Sequence, residues 1–125
     1  NLLEEQPKVT ETTAVAPEIV NSSVSVFFDI NNSEIASRKD LVNVEALAKY
    51  AKENGKKLIV TGYADSATGK MESNQQLSEA RANTVADELL KMGMFQDNII
   101  VVGKGGINEL SPISYNRRVI VSVGQ

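Results

Sequence analysis

The chain has no cysteine and no histidine. Those two absences exclude a thiol nucleophile, a disulfide, a Cys/His zinc site, a histidine general base and a serine–histidine–aspartate triad. A metal would have to sit on carboxylates and carbonyls alone, and no cofactor is expected. The lack of cysteine suits the cytosol and a bridge-free periplasmic domain equally, so it leaves the compartment open. Tryptophan is missing too, and aromatics are only 5% of the chain, too few for a base-stacking platform. Basic charge is not in surplus: 13 Lys and Arg against 16 Asp and Glu give a net charge of −3, which argues against broad nucleic-acid binding. No run approaches the ~20 apolar residues of a transmembrane helix. No signal peptide is visible, so the chain reads as a mature product or a fragment.

What is present fits one ordinary soluble domain: 125 residues, 42% hydrophobic and 23% charged. Residues 1–21 stand apart. The run Pro7-Lys8-Val9-Thr10-Glu11-Thr12-Thr13-Ala14-Val15-Ala16-Pro17 offers no coherent apolar face, which suits an extended N-terminal linker or tether. Residues 22–125 form the expected folded domain.

There the patterning becomes regular. Val24, Val26 and Phe28 alternate with Ser25 and Phe27 as a first strand. Asp29 to Ser37 holds turn formers, chiefly Asn31, Asn32 and Ser33. Asp40 is positioned to cap a helix reaching about Glu53, with Leu41, Val44, Leu47, Ala48 and Ala51 on one face and Asn54-Gly55 as its stop. Lys57 to Tyr63 predicts a buried strand, and a polar loop from Ala64 to about Ser73 follows. A second helix is expected from near Asn74 to Met92, with Leu77, Val85 and Leu89 inward. Strands are expected at Asn98–Gly103 and Arg117–Val123. The βαβαββ order predicts an α/β (α+β) two-layer sandwich: a mixed four-stranded sheet with two helices on one face. Helical crossovers favour parallel neighbours, and the last strand can pair antiparallel.

Two charged residues break the local pattern. Arg81 lies four positions from both Leu77 and Val85, on the stripe that packs inward, where an unpaired charge is costly. Asp65 is expected just past the carboxyl end of the second strand, a favoured ligand position in open α/β sheets. One reading is a structural Asp65–Arg81 ion pair. The other is a split site, with Asp65 holding an ammonium and Arg81 a carboxylate of one zwitterionic amino-acid head.

Three motifs bear on that choice: Thr61-Gly62-Tyr63-Ala64-Asp65, Asn74-Gln75-Gln76-Leu77-Ser78-Glu79-Ala80-Arg81-Ala82 and Asn116-Arg117-Arg118-Val119. With the opening Val26-Phe27-Phe28-Asp29, they resemble the OmpA-like C-terminal domain, whose pattern is G-H-T-D, N-x-x-L-S-x-x-R-A and N-R-R-V. The resemblance covers about residues 22–124. It implies a non-catalytic domain that binds peptidoglycan in the periplasm and anchors an outer-membrane or envelope protein to the wall. It implies that Asp65 and Arg81 contact the diaminopimelate of the peptide stem. A membrane would be reached only through a preceding region.

Other positions carry over with a structural role set beside each. Asn74 is a pocket hydrogen-bonder or a helix cap. Asp29 and Asn31 line the pocket, largely through backbone groups, or make a plain turn. Strand alternation sends one of Arg117 and Arg118 inward, and Arg117 is the pocket candidate. Tyr63-Ala64 stands where the family has His-Thr. Gly103-Lys104-Gly105-Gly106 lacks the spacing of a phosphate loop and reads as a flexible connection. A structural or protein-interaction domain with Asp65–Arg81 as an internal brace is the alternative function.

Overall fold

A computed structural model of the chain describes residues 23–66, 70–107 and 116–124. The expected linker, residues 1–21, lies outside them. Strand β1 is Ser23–Phe27, helix α1 Leu41–Asn54, strand β2 Leu58–Asp65, helix α2 Met71–Lys91, strand β3 Ile99–Ile107 and strand β4 Arg118–Val123. Single 3-10 turns at Arg38–Asp40 and Gln96–Asn98 lead into α1 and β3.

The expected fold class is the one adopted, a mixed four-stranded sheet with two helices. Its strand order is β1-β4-β2-β3. Strands β2 and β3 pair in parallel, as their helical crossover requires. The expectation of parallel neighbours fails at β1 and β2, because β4 inserts between them, antiparallel to both. Inward residues then meet across three strands: Val26 opposes Val119, and Val121 opposes both Val24 and Val60. The buried core joins this sheet face to Leu41, Val44, Leu47, Ala48 and Ala51 of α1 and to Val85 and Leu89 of α2. Each fully buried Val or Leu contributes about 1.5–3 kcal/mol over its exposed state.

Local chemistry explains where elements end. Gly55 closes α1 in the left-handed region at φ 62°, and its N–H donates to the Ala51 carbonyl. Asp40 precedes α1, but its carboxylate does not cap the helix. It accepts the Phe27 backbone N–H at 3.1 Å instead, tying the helix start to the end of β1. Helix α2 begins at Met71, three residues before the expected start, so Asn74 lies inside the first turn and is no cap.

Strands β2 and β3 both outrun their expected ends. Asp65 is the last residue of β2, paired with Ile107, rather than a residue beyond the strand. The glycines thought to form a flexible connection belong to β3, and they pair because α2 lies against them. A Cβ at Gly62 would overlap the Ser78 carbonyl oxygen, and one at Gly103 the Glu79 side chain. Glycine at these positions lets the helix approach the sheet closely. That approach sets α2 beside the carboxyl ends of β2 and β3, with the first residue of β4 and the last of β1 at the same end.

Candidate functional site

Four chain segments meet at this corner of the sandwich: the exit of β1, the end of β2, the entry of β4 and the first three turns of α2. The buried side of α2 here is Asn74, Ser78, Arg81 and Ala82. Leu77, expected to point inward, is half-buried, because the polar residues one helical step away face the sheet. Their polarity is matched. The Ser78 hydroxyl donates to the Gln75 carbonyl at 2.8 Å and accepts the Gly105 N–H at 2.9 Å. Gln75 Nε2 donates to the Gly103 carbonyl at 3.0 Å. The Asn74 amide nitrogen crowds Gly106, lying 3.0 Å from where a Cβ there would sit.

Arg81 is wholly buried. Its guanidinium donates to three backbone carbonyls: Nε to Asn32 at 2.9 Å, NH1 to Tyr63 at 3.0 Å and NH2 to Asp29 at 2.9 Å. It also lies over the Phe28 ring, 5.4 Å from the centroid. One side chain therefore ties α2 to β2 and to the turn after β1. Thr84 reinforces the tie through its hydroxyl, which donates to the Ser33 carbonyl at 2.7 Å. Burial, and after it the nearby Arg117 cation, lower the Arg81 pKa to about 10, while Asp65 opposes the fall. At neutral pH the group is a cation.

The turn from Asp29 to Ser33 meets the corner through its backbone. The Asp29 carbonyl accepts both Arg81 and the Asn32 N–H, the latter at 3.1 Å. Asn31 is exposed and shapes the turn through its positive φ of 54°, a conformation asparagine tolerates better than most residues. The carbonyl facing Arg81 is that of its neighbour Asn32, which sequence reasoning did not single out.

The ion pair expected between Asp65 and Arg81 is replaced by one between Asp65 and Arg117. Arg117 NH1 lies 2.8 Å from Asp65 Oδ2, and Arg117 Nε reaches toward the Phe28 carbonyl at 3.4 Å. Arg81 acts on Asp65 only as a charge at longer range. The physical reason is topological. Strand β4 enters directly beside the end of β2, so the residue before it is nearer to Asp65 than a helix residue already occupied by carbonyls. The two arginines part: Arg117, just before β4, turns to Asp65, and Arg118 lies 5.8 Å from the centroid of the Tyr63 ring. Tyr63, at the position of the family histidine, thus contributes its carbonyl to Arg81 and its ring to Arg118. Asn116, fully buried at the entry of β4, is a further member of this corner. Its place in the N-R-R-V run was the only sequence signal for it.

The corner is nearly closed to solvent. The Asp65 side chain is 2% exposed, and Arg117, at 18%, is the member of the ion pair that meets solvent. Chemically it offers two guanidiniums and one carboxylate within a shell of backbone carbonyls. That set suits a small ligand bearing both charges, with a carboxylate as the larger demand.

Comparison with known proteins places this architecture. Residues 27–118 match the OmpA family. The chain is 35% identical over 122 residues to Outer membrane protein 40 of Porphyromonas gingivalis, covering 97% of this chain and 31% of that protein. It is also 35% identical over 119 residues to Outer membrane protein 41 of the same organism, covering 94% of this chain and 29% of that protein. The chain therefore spans about a third of the length of these relatives. The OmpA-like domain of FopA1 from Francisella tularensis superposes with a TM-score of 0.70 at 26% identity, covering 79% of this chain and 69% of that one. The peptidoglycan-associated lipoprotein from Burkholderia pseudomallei shares the fold, with a TM-score of 0.72 at 21% identity over 81% of this chain and 90% of that one. By the extent of the family match and the identity of these relatives, the chain belongs to the OmpA family.

Proposed function

We propose that this domain binds peptidoglycan without turnover, through the amino-acid head of a diaminopimelate in the peptide stem, and so anchors an envelope protein to the cell wall from the periplasmic side. The family is non-enzymatic. Two of the relatives are named outer membrane proteins, and one protein of the same fold is named for its association with peptidoglycan. The single observation that carries the reading is the juxtaposition at one corner of a buried carboxylate, Asp65, with the guanidiniums of Arg81 and Arg117. An amino-acid head carries the two complementary charges on a single carbon. Asp65 takes the ammonium, and the guanidinium side takes the carboxylate. Asn74, buried on the same face of α2, and the backbone of the Asp29–Asn31 turn border this ligand.

A contact this small offers little apolar area, so one head binds weakly and many tethered copies together supply retention. The test is co-sedimentation with insoluble peptidoglycan. Wild type is retained, and Asp65→Asn, which keeps the shape of the side chain without its charge, is lost to the supernatant with an unchanged circular dichroism spectrum. Full retention of Asp65→Asn, or no retention of wild type, overturns the assignment.

A second reading has its own observation. The three carbonyl bonds of Arg81 make it a brace between α2, β2 and the turn after β1. If the corner is only such a brace, the domain serves structure or protein contact, and wild type stays in the supernatant.

A further inference from the structure

Arg117 occupies the place on Asp65 that a ligand's ammonium would take. Its NH1 is 2.8 Å from Asp65 Oδ2, and its side chain is 18% exposed where that of Asp65 is 2%. Arg81 is anchored where it stands, since its Nε, NH1 and NH2 each donate to a backbone carbonyl. Arg117 is held more loosely: besides Asp65 it has the Phe28 carbonyl at 3.4 Å, a long contact. Of the two guanidiniums, one is fixed in the fold and the other can be exchanged.

We propose that Arg117 is an exchangeable latch: the ammonium of the ligand replaces it on Asp65, the freed guanidinium takes the ligand's carboxylate, and the site thereby selects a head with a free carboxylate over the same head as a carboxamide. This deepens the function proposed above and rests on Asp65 being the ammonium acceptor. Counting ion pairs shows why selection results. With a free carboxylate, one internal pair, Asp65–Arg117, becomes two pairs with the ligand. With a carboxamide, the ammonium still takes Asp65, but Arg117 is left beside buried residues with no anion. A partly buried charge without a partner is strongly disfavoured. A carboxamide can accept a single neutral hydrogen bond from the guanidinium, where a carboxylate accepts two parallel charged ones.

The experiment titrates the whole chain with two soluble muropeptides. In one, the stem diaminopimelate has its distal carboxylate free; in the other, that same carboxylate is amidated. Wild type is expected to prefer the free carboxylate by about tenfold or more. Arg117→Gln removes both the competing cation and the carboxylate partner. It weakens binding of the free form and leaves the amidated form unchanged or tighter, so the preference falls to about threefold or less. A residue that merely held the fold would weaken both ligands together and keep their ratio, and circular dichroism checks folding. Equal binding of both ligands by wild type overturns the latch while leaving the proposed function standing. A preference that survives in Arg117→Gln also overturns it. Binding of neither ligand by wild type overturns the proposed function and the latch together.

Discussion

Replacing Arg81 by Met isolates the structural share of this residue. The substitution keeps the length of the chain and its contact with the Phe28 ring while deleting three charged donors at 2.9, 3.0 and 2.9 Å. Hydrogen bonds from a charged group contribute about 1.5–3 kcal/mol each, which sets a gross loss of roughly 4.5–9 kcal/mol. Two effects reduce it. The penalty of burying a cation, visible in the lowering of its pKa to about 10, disappears with the cation. The Asp29 carbonyl also keeps the Asn32 N–H at 3.1 Å. A net loss of about 3–4 kcal/mol remains, a large part of the 5–15 kcal/mol that holds a typical domain folded. At about 4 °C per kcal/mol for a domain of this size, Tm falls by about 12–16 °C. Urea unfolding followed by circular dichroism measures this as a lower midpoint with an unchanged slope. A loss under about 1 kcal/mol would refute the role of Arg81 as a brace.

Further expectations follow from the same geometry. Because a lowered pKa means that the folded state holds the Arg81 proton less tightly than the unfolded chain, this penalty is complete below about pH 10 and relaxes as the pH rises above it. The stability difference between wild type and Arg81→Met is therefore flat from pH 6 to 9, and a slope across that range would contradict the assigned charge. Gly62→Ala forces a Cβ onto the Ser78 carbonyl and should cost about 2–3 kcal/mol in urea unfolding, because backbone rather than a flexible side chain must yield. Ser78→Ala leaves the Gly105 N–H without its acceptor at a buried position and should cost about 1–3 kcal/mol, while Ser73→Ala on the exposed side of α2 costs under 0.5 kcal/mol, all values about that size by mutational precedent. Retention on peptidoglycan falls as salt rises; retention indifferent to salt would count against charge recognition.

Much of the fold was legible because burial follows period. The α1 stripe of Leu41, Val44, Leu47, Ala48 and Ala51 is buried throughout, and Gly55 takes the left-handed conformation its position announced. What periodicity could not carry is strand order. Nothing local says that β4 enters between β1 and β2, and that insertion is what hands Asp65 to Arg117, 52 residues away, in place of Arg81. Hydrophobicity also misled on α2. Leu77 looked like the inward residue, yet Asn74 and Ser78 are buried because glycines in β2 and β3 let a polar helix face reach the strand backbones. The same close approach turned an apparent Gly-rich connection into the second half of β3. Arg81 was legible as an anomaly, a charge on an inward stripe. Its three partners were not, since they are backbone carbonyls, two of them aimed by the turn after β1 and one by β2.

The central claim is that the corner built by Asp65, Arg81 and Arg117 receives an amino-acid head. Its most direct test is a titration of the isotope-labelled chain with free meso-diaminopimelate, following backbone amides and arginine Nε–H resonances by NMR. Saturable shifts confined to the Asp65 and Arg117 amides, the Arg117 Nε–H and their neighbours at the ends of β1 and β2 are predicted. An unchanged spectrum, or shifts centred on Ala51–Gly55 at the C-terminal end of α1, would contradict it.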